Sequence, residues 1–162
     1  MSDAGVTIQH KKRMRLACLA MALTLAPSAL PGWAAERDTP VGRWLTQDKE
    51  AVIAIEPCGN ALCGRIVGIT LDHPGDALPL DNEGHSQCGL TIIRGGVPDG
   101  EQVWAIRITD PRDGKVYRAR MWLDEQHRLR VRGYIGIPLL GRTDTWTPFR
   151  AAIGENCRLP AR

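Results

Sequence analysis

Between positions 41 and 149 the apolar residues recur at every second position or in short runs, and no stretch keeps a helical period over three turns. Such a chain has to bury its side chains by pairing short strands. Val41 to Thr46, Ala51 to Glu56 and Leu62 to Ile69 read as the first three, with the Gly59-Asn60 turn joining the last two. A loop rich in Asp, Pro and Gly from Thr70 to Gln87 follows, then a short strand around Leu90 to Ile93. Gln102 to Thr109, Lys115 to Leu123, Arg128 to Ile137 and Arg142 to Phe149 complete the series, with polar turns at Asp110 to Gly114 and Asp124 to His127. The expectation is an all-β, antiparallel, up-and-down barrel of about eight strands. Its inside and outside are separable. Tyr117, Ala119, Met121 and Leu123 share one face, opposite Arg118, Arg120 and Trp122. Leu129, Val131, Gly133 and Ile135 repeat the pattern, opposite Arg128, Arg130, Arg132 and Tyr134. The arginines of the two strands fall together, as a solvated outer face or as the rim of an anion site.

Residues 1–34 read as a signal peptide and 35–162 as a single domain. Lys11, Lys12, Arg13 and Arg15 form a basic n-region, Leu16 to Ala26 an apolar run ended by Pro27, and Gly32 and Ala34 the small residues of a cleavage site. The apolar run is shorter than the ~20 residues of a spanning helix, so no transmembrane anchor is expected. Cys18 leaves with the signal. The expected location is the periplasm, or secretion. Residues 35–162 carry 17 basic and 17 acidic side chains. That balance offers no excess of cations to neutralise phosphates, which excludes a nucleic-acid partner as the expectation.

Four cysteines remain after cleavage, an even number in a chain bound for an oxidising compartment. A tight turn at Gly59-Asn60 favours Cys58 with Cys63, their thiols facing each other across paired strands, and leaves Cys88 with Cys157. A zinc site would want paired Cys-x-x-Cys spacing or nearby histidines, and neither is present. No metal and no cofactor are expected. Ser86, the one serine of residues 35–162, lacks a nucleophile-elbow context, and disulfide-bonded thiols are not nucleophiles. The 70–88 loop gathers Asp72, His73, Asp76, Asp81, Glu83 and His85, but their spacing fits a solvated loop, not a metal motif. No catalytic residue is assigned.

Several short motifs occur in a fixed order. They are Gly42-x-Trp44, Pro57-Cys58-Gly59-x-x-Leu62-Cys63-Gly64-Arg65-Ile66-Val67 and Asp110-Pro111-x-Asp113-Gly114-Lys115-x-Tyr117, then Val131-Arg132-Gly133-Tyr134 and Leu140-Gly141-Arg142-Thr143-x-Thr145-Trp146. Together they resemble an exported bacterial domain-of-unknown-function family, and the resemblance implies a lipocalin-like β-barrel in the periplasm with no established activity. The opening Gly42-x-Trp44 also resembles the first strand of lipocalins, in which a tryptophan closes one end of the barrel and a late arginine packs on its face. The matching residue here is Arg142, and such a contact is worth about 0.5–2 kcal/mol.

Aromatic walls suit apolar ligands, so Trp44, Trp104, Tyr117, Met121, Arg142 and Trp146 form the candidate ligand-binding set. Core packing is the competing role for each aromatic residue. The expected activity is binding of a small apolar or amphipathic ligand. The alternative is a filled barrel that serves as a protein-interaction or structural module of the cell envelope. An enzyme would need titratable groups converging inside the barrel.

Overall fold

The computed structural model describes residues 39–160. The expected signal segment, residues 1–34, lies outside the described residues, as does its cleavage position. Eight strands follow in chain order: β1 (Gly42–Leu45), β2 (Ala51–Cys58), β3 (Ala61–Ile69), β4 (Thr91–Pro98), β5 (Val103–Thr109), β6 (Val116–Leu123), β7 (Leu129–Tyr134) and β8 (Arg142–Pro148). Each pairs antiparallel with its neighbours, and β8 returns to β1 to close the barrel. Closure removes the unpaired edges that an open sheet would present.

The interior is filled by alternate side chains. Ile53 and Ile55 of β2, Ile66 of β3, Ile106 of β5, Ala119 and Met121 of β6, and Leu129 and Val131 of β7 belong to one buried cluster. The faces read from the sequence for β6 and β7 hold for Ala119, Met121, Leu129 and Val131, which are buried, and for Arg118, which is exposed, but not for Ile135, which lies past the end of β7 and is 79% exposed. The expected strand through Ile137 ends instead at Tyr134. Gly136 takes a positive φ of 77°, and Pro138–Leu140 forms a 3-10 turn. The strand expected to stop near Ile93 runs on to Pro98, with a register shift between Arg94 and Val97 at the positive-φ Gly95.

β2 is buried on both faces, since Val52 and Ala54 are buried as well as Ile53 and Ile55. The C-terminal segment covers the second face at Val52. Arg158 bridges Ile69 in parallel, Leu159 N–H donates to the Ile69 carbonyl at 3.0 Å, and the Cys88–Cys157 disulfide ties the segment to the β3–β4 loop. Gly68 is the contact point, because a Cβ there would lie 2.7 Å from Leu159 Cδ2 and 3.1 Å from Val52 Cβ. The second disulfide joins Cys58 to Cys63 around the turn at Gly59, whose φ is 66°. Its cysteines do not face each other. Cys58 is registered with Ala61 and Cys63 with Glu56, so the bridge runs diagonally over a Cα separation of 5.8 Å.

Candidate ligand-binding site

The two barrel ends differ. At one end Trp44 is buried against Ile53 in register, and its indole Nε1 donates to the Pro40 carbonyl at 2.8 Å. The expected stack of Arg142 on Trp44 does not form. Trp44 is registered with Pro148, at the opposite end of β8 from Arg142, and Pro40 supplies its polar partner instead. Met121 and Leu129, both fully buried, fill the barrel behind it, and Trp104 is registered with Met121.

The other end is open. The β1–β8 seam is short, with only Trp44–Pro148 and Leu45–Thr147 in register, and β8 continues past the end of β1. The side chain of Gln47 fills in for the missing strand, its Oε1 accepting from Thr145 N–H at 2.9 Å. Behind this gap lies a cavity of about 390 Å³ with Ile92, Ile108 and Trp146 as apolar lining and Tyr117, Arg142 and Asp144 as polar lining. Alternation puts these groups together. Ile108 and Tyr117 are cross-strand partners, and Arg142, Asp144 and Trp146 occupy alternate positions of β8. A second cavity of about 770 Å³ lies beneath the β3–β4 loop and shares Thr46, Asp48, Ile92, Asp110 and Pro111 with the first. Its lining includes Ile53, Ile66 and Ile69.

The loop over this end is held in place. Arg158 donates to the carbonyls of Pro74 and Asp76, both at 2.9 Å, and Asn82 N–H donates to the Pro111 carbonyl at 2.9 Å. Arg112 pairs with Glu50 at 2.7 Å, linking the β5–β6 turn to the β1–β2 turn. The acidic side chains mostly shape turns. Asp81 accepts backbone N–H bonds from Glu83 and His85, and the His85 N–H is the main reason its carboxyl pKa is lowered from the ordinary value. Asp113 is shifted the same way, chiefly by the Lys115 ammonium, and Asp124 by the Arg128 guanidinium. Among the described residues no cluster of three His, Cys, Asp or Glu side chains could hold a metal ion.

Of the six candidate residues, Tyr117, Arg142 and Trp146 come together at the first cavity, while Trp44, Trp104 and Met121 line neither cavity. Asp144 is the polar group that sequence reasoning missed, although period-two alternation from Trp146 places it inward. Arg142 Nε lies 3.4 Å from its Oδ1, but the alignment makes no hydrogen bond, and this covered oxygen has no hydrogen-bond partner among the described residues. An oxygen so placed favours an incoming donor.

The closed eight-stranded barrel with one plugged end and one open end defines the class, a lipocalin-like β-barrel. A solved structure of a Helicobacter pylori protein, described as belonging to the lipocalin family, is similar in fold with a TM-score of 0.57 at 15% identity. The match covers 68% of this chain and 82% of that one. Residues 42–148 match DUF2147, described as an uncharacterized protein conserved in bacteria, and the chain belongs to that family. No curated protein matches the chain.

Among the described residues no helix is long and apolar enough to cross a membrane. Arg118, Arg120, Arg130 and Arg132 occupy the outer face of β6 and β7.

Proposed function

We propose that this is an exported protein that binds a small amphipathic ligand in the open end of its barrel. The observation that carries the reading is the first cavity, in which apolar Ile92, Ile108 and Trp146 meet Tyr117, Arg142 and Asp144 at the mouth. Such a pairing of apolar lining and a few converging polar groups is how small-molecule sites combine affinity with orientation. The ligand's apolar part packs on Trp146 and the isoleucines. Its polar end offers an acceptor to Arg142 and a donor to the unpartnered oxygen of Asp144. Export is supported by the signal-like segment at residues 1–34 and by two disulfides, which persist in oxidising compartments.

A fluorescent fatty acid tests the reading. Saturable binding with quenching of tryptophan emission is the expected result for the purified protein. Arg142→Gln should weaken the acid probe by about 10- to 100-fold relative to the neutral alcohol of the same chain length, because a charge-assisted bond is lost only for the acid. Absence of saturable binding by either probe would overturn the proposal.

A further inference from the structure

The β7–β8 connection is the most apolar exposed segment of the described chain. Ile135, Ile137, Leu139 and Leu140 are 79%, 54%, 80% and 78% exposed within six consecutive residues. They are displayed by a built loop. Arg132 donates to the carbonyls of Pro138 at 2.7 Å and Leu139 at 3.0 Å and to Thr143 Oγ1 at 2.7 Å, so one buttressing guanidinium fixes the backbone from beneath. Gly141 lets the loop return tightly, because a Cβ there would lie 2.5 Å from the Gly133 carbonyl oxygen. With its polar backbone groups drawn inward, the loop turns its apolar tips to solvent at the open end of the barrel.

Beside it runs a cationic row. Arg94 of β4 is registered with Arg107 of β5, Arg107 with Arg118 of β6, and Arg118 with Tyr134, the residue at which the loop begins. All three arginines are exposed, and none has an ion-pair or hydrogen-bond partner among the described residues. Like charges directly opposite each other on paired strands destabilise a sheet. Residues 35–162 balance in charge only as a whole, so three unpaired cations in one row give this face a local positive excess that an anionic surface would offset. Val116, also outward and 59% exposed, extends the apolar edge from β6.

We propose that the β7–β8 loop and the adjoining outer wall of β4–β6 dock on a lipid bilayer carrying anionic headgroups, with Ile135, Ile137, Leu139 and Leu140 entering the interfacial layer and Arg94, Arg107 and Arg118 lying over the phosphates. The shape favours a bilayer over a protein. Protruding tips need a matching pocket in a protein partner, whereas a fluid interface receives them without one, and tyrosine at the level of Tyr134 suits the headgroup boundary. This inference stands on the loop and the arginine row and does not depend on the cavity being a ligand site.

Vesicle co-sedimentation of the purified protein tests it, with phosphatidylglycerol-containing vesicles compared with pure phosphatidylcholine. Binding to the anionic vesicles, weakened by salt, is expected. Each arginine near such a surface contributes roughly fivefold to partitioning, so the triple variant Arg94→Gln, Arg107→Gln, Arg118→Gln should bind about a hundredfold more weakly. The loop variant Ile135→Asn, Leu139→Asn, Leu140→Asn replaces exposed residues only and should lose tenfold or more while its melting temperature is retained. Failure of the wild type to sediment with anionic vesicles would overturn the proposal. So would binding indifferent to both variants, or self-association or capture of a protein partner through the same loop without vesicle binding.

Discussion

The two disulfides close loops of very different length, and that difference sets what each contributes to stability. Cys58 and Cys63 are separated by 5 residues and Cys88 and Cys157 by 69. Cross-linking restricts the unfolded chain, and its contribution grows with the logarithm of the closed loop, giving about 2 kcal/mol for the short bridge and about 4.4 kcal/mol for the long one. The structure adds to the gap. Without the Cys88–Cys157 bridge, the segment through Leu159 is held over β2 and β3 by backbone pairing at Ile69, by Arg158 and by the packing of Leu159 at Gly68, and the cover over Val52 loosens. The perturbations are the double variants Cys58→Ser with Cys63→Ser and Cys88→Ser with Cys157→Ser, followed by thermal unfolding under non-reducing conditions. A domain of this size shifts by about 4 °C per kcal/mol. The long-bridge variant should therefore melt roughly 10 °C below the short-bridge variant. Equal losses would refute the loop-length reasoning, and a larger loss for Cys58 and Cys63 would show that the diagonal bridge holds the hairpin itself.

Asp124, which accepts from the backbone N–H of Arg128 at 3.0 Å and from its Nε at 2.9 Å, is more acidic in the folded protein than its ordinary value of 3.8. Its contribution is present above that value and is lost as pH falls through the lower folded one. Asp124→Asn should therefore flatten the loss of stability below pH ~4, as read by urea unfolding across pH 2–6. At Gly68 an alanine would meet Leu159 and Val52, so Gly68→Ala should destabilise by about 1–3 kcal/mol. Adding Leu159→Ala should recover part of that loss, and strictly additive effects in the double-mutant cycle would show that the two residues are not coupled.

How much of this was legible in the sequence follows from the range of the interactions involved. Period-two alternation is a property of the backbone of each strand, so the inward set on β6 and β7, the approximate number of strands and the turn at Gly59-Asn60 could be read locally. The cysteine pairing was accessible for a similar reason, since a short hairpin consumed two cysteines and left two. The Trp44 plug was anticipated, but its partner was not. Whether Arg142 or Pro40 reaches the indole depends on how far β8 slides past β1, and that register is fixed only when the barrel closes.

The sequence alone determined the run of strands, the inward sets of β6 and of β7 as far as Gly133, and the covalent ties, because those follow from interactions a few residues apart or from pairing by elimination. Closure decided the rest. It made one end solid around Trp44 and the other a cavity where β8 outruns β1, and so set Tyr117, Arg142 and Trp146 at the cavity and Trp44, Trp104 and Met121 away from it. It brought Asp144 beside Arg142 at that mouth, and it aligned Arg94, Arg107 and Arg118 across three strands next to an apolar loop. These are juxtapositions across the barrel wall, and no local pattern in a chain encodes a distance between strands before the sheet has closed.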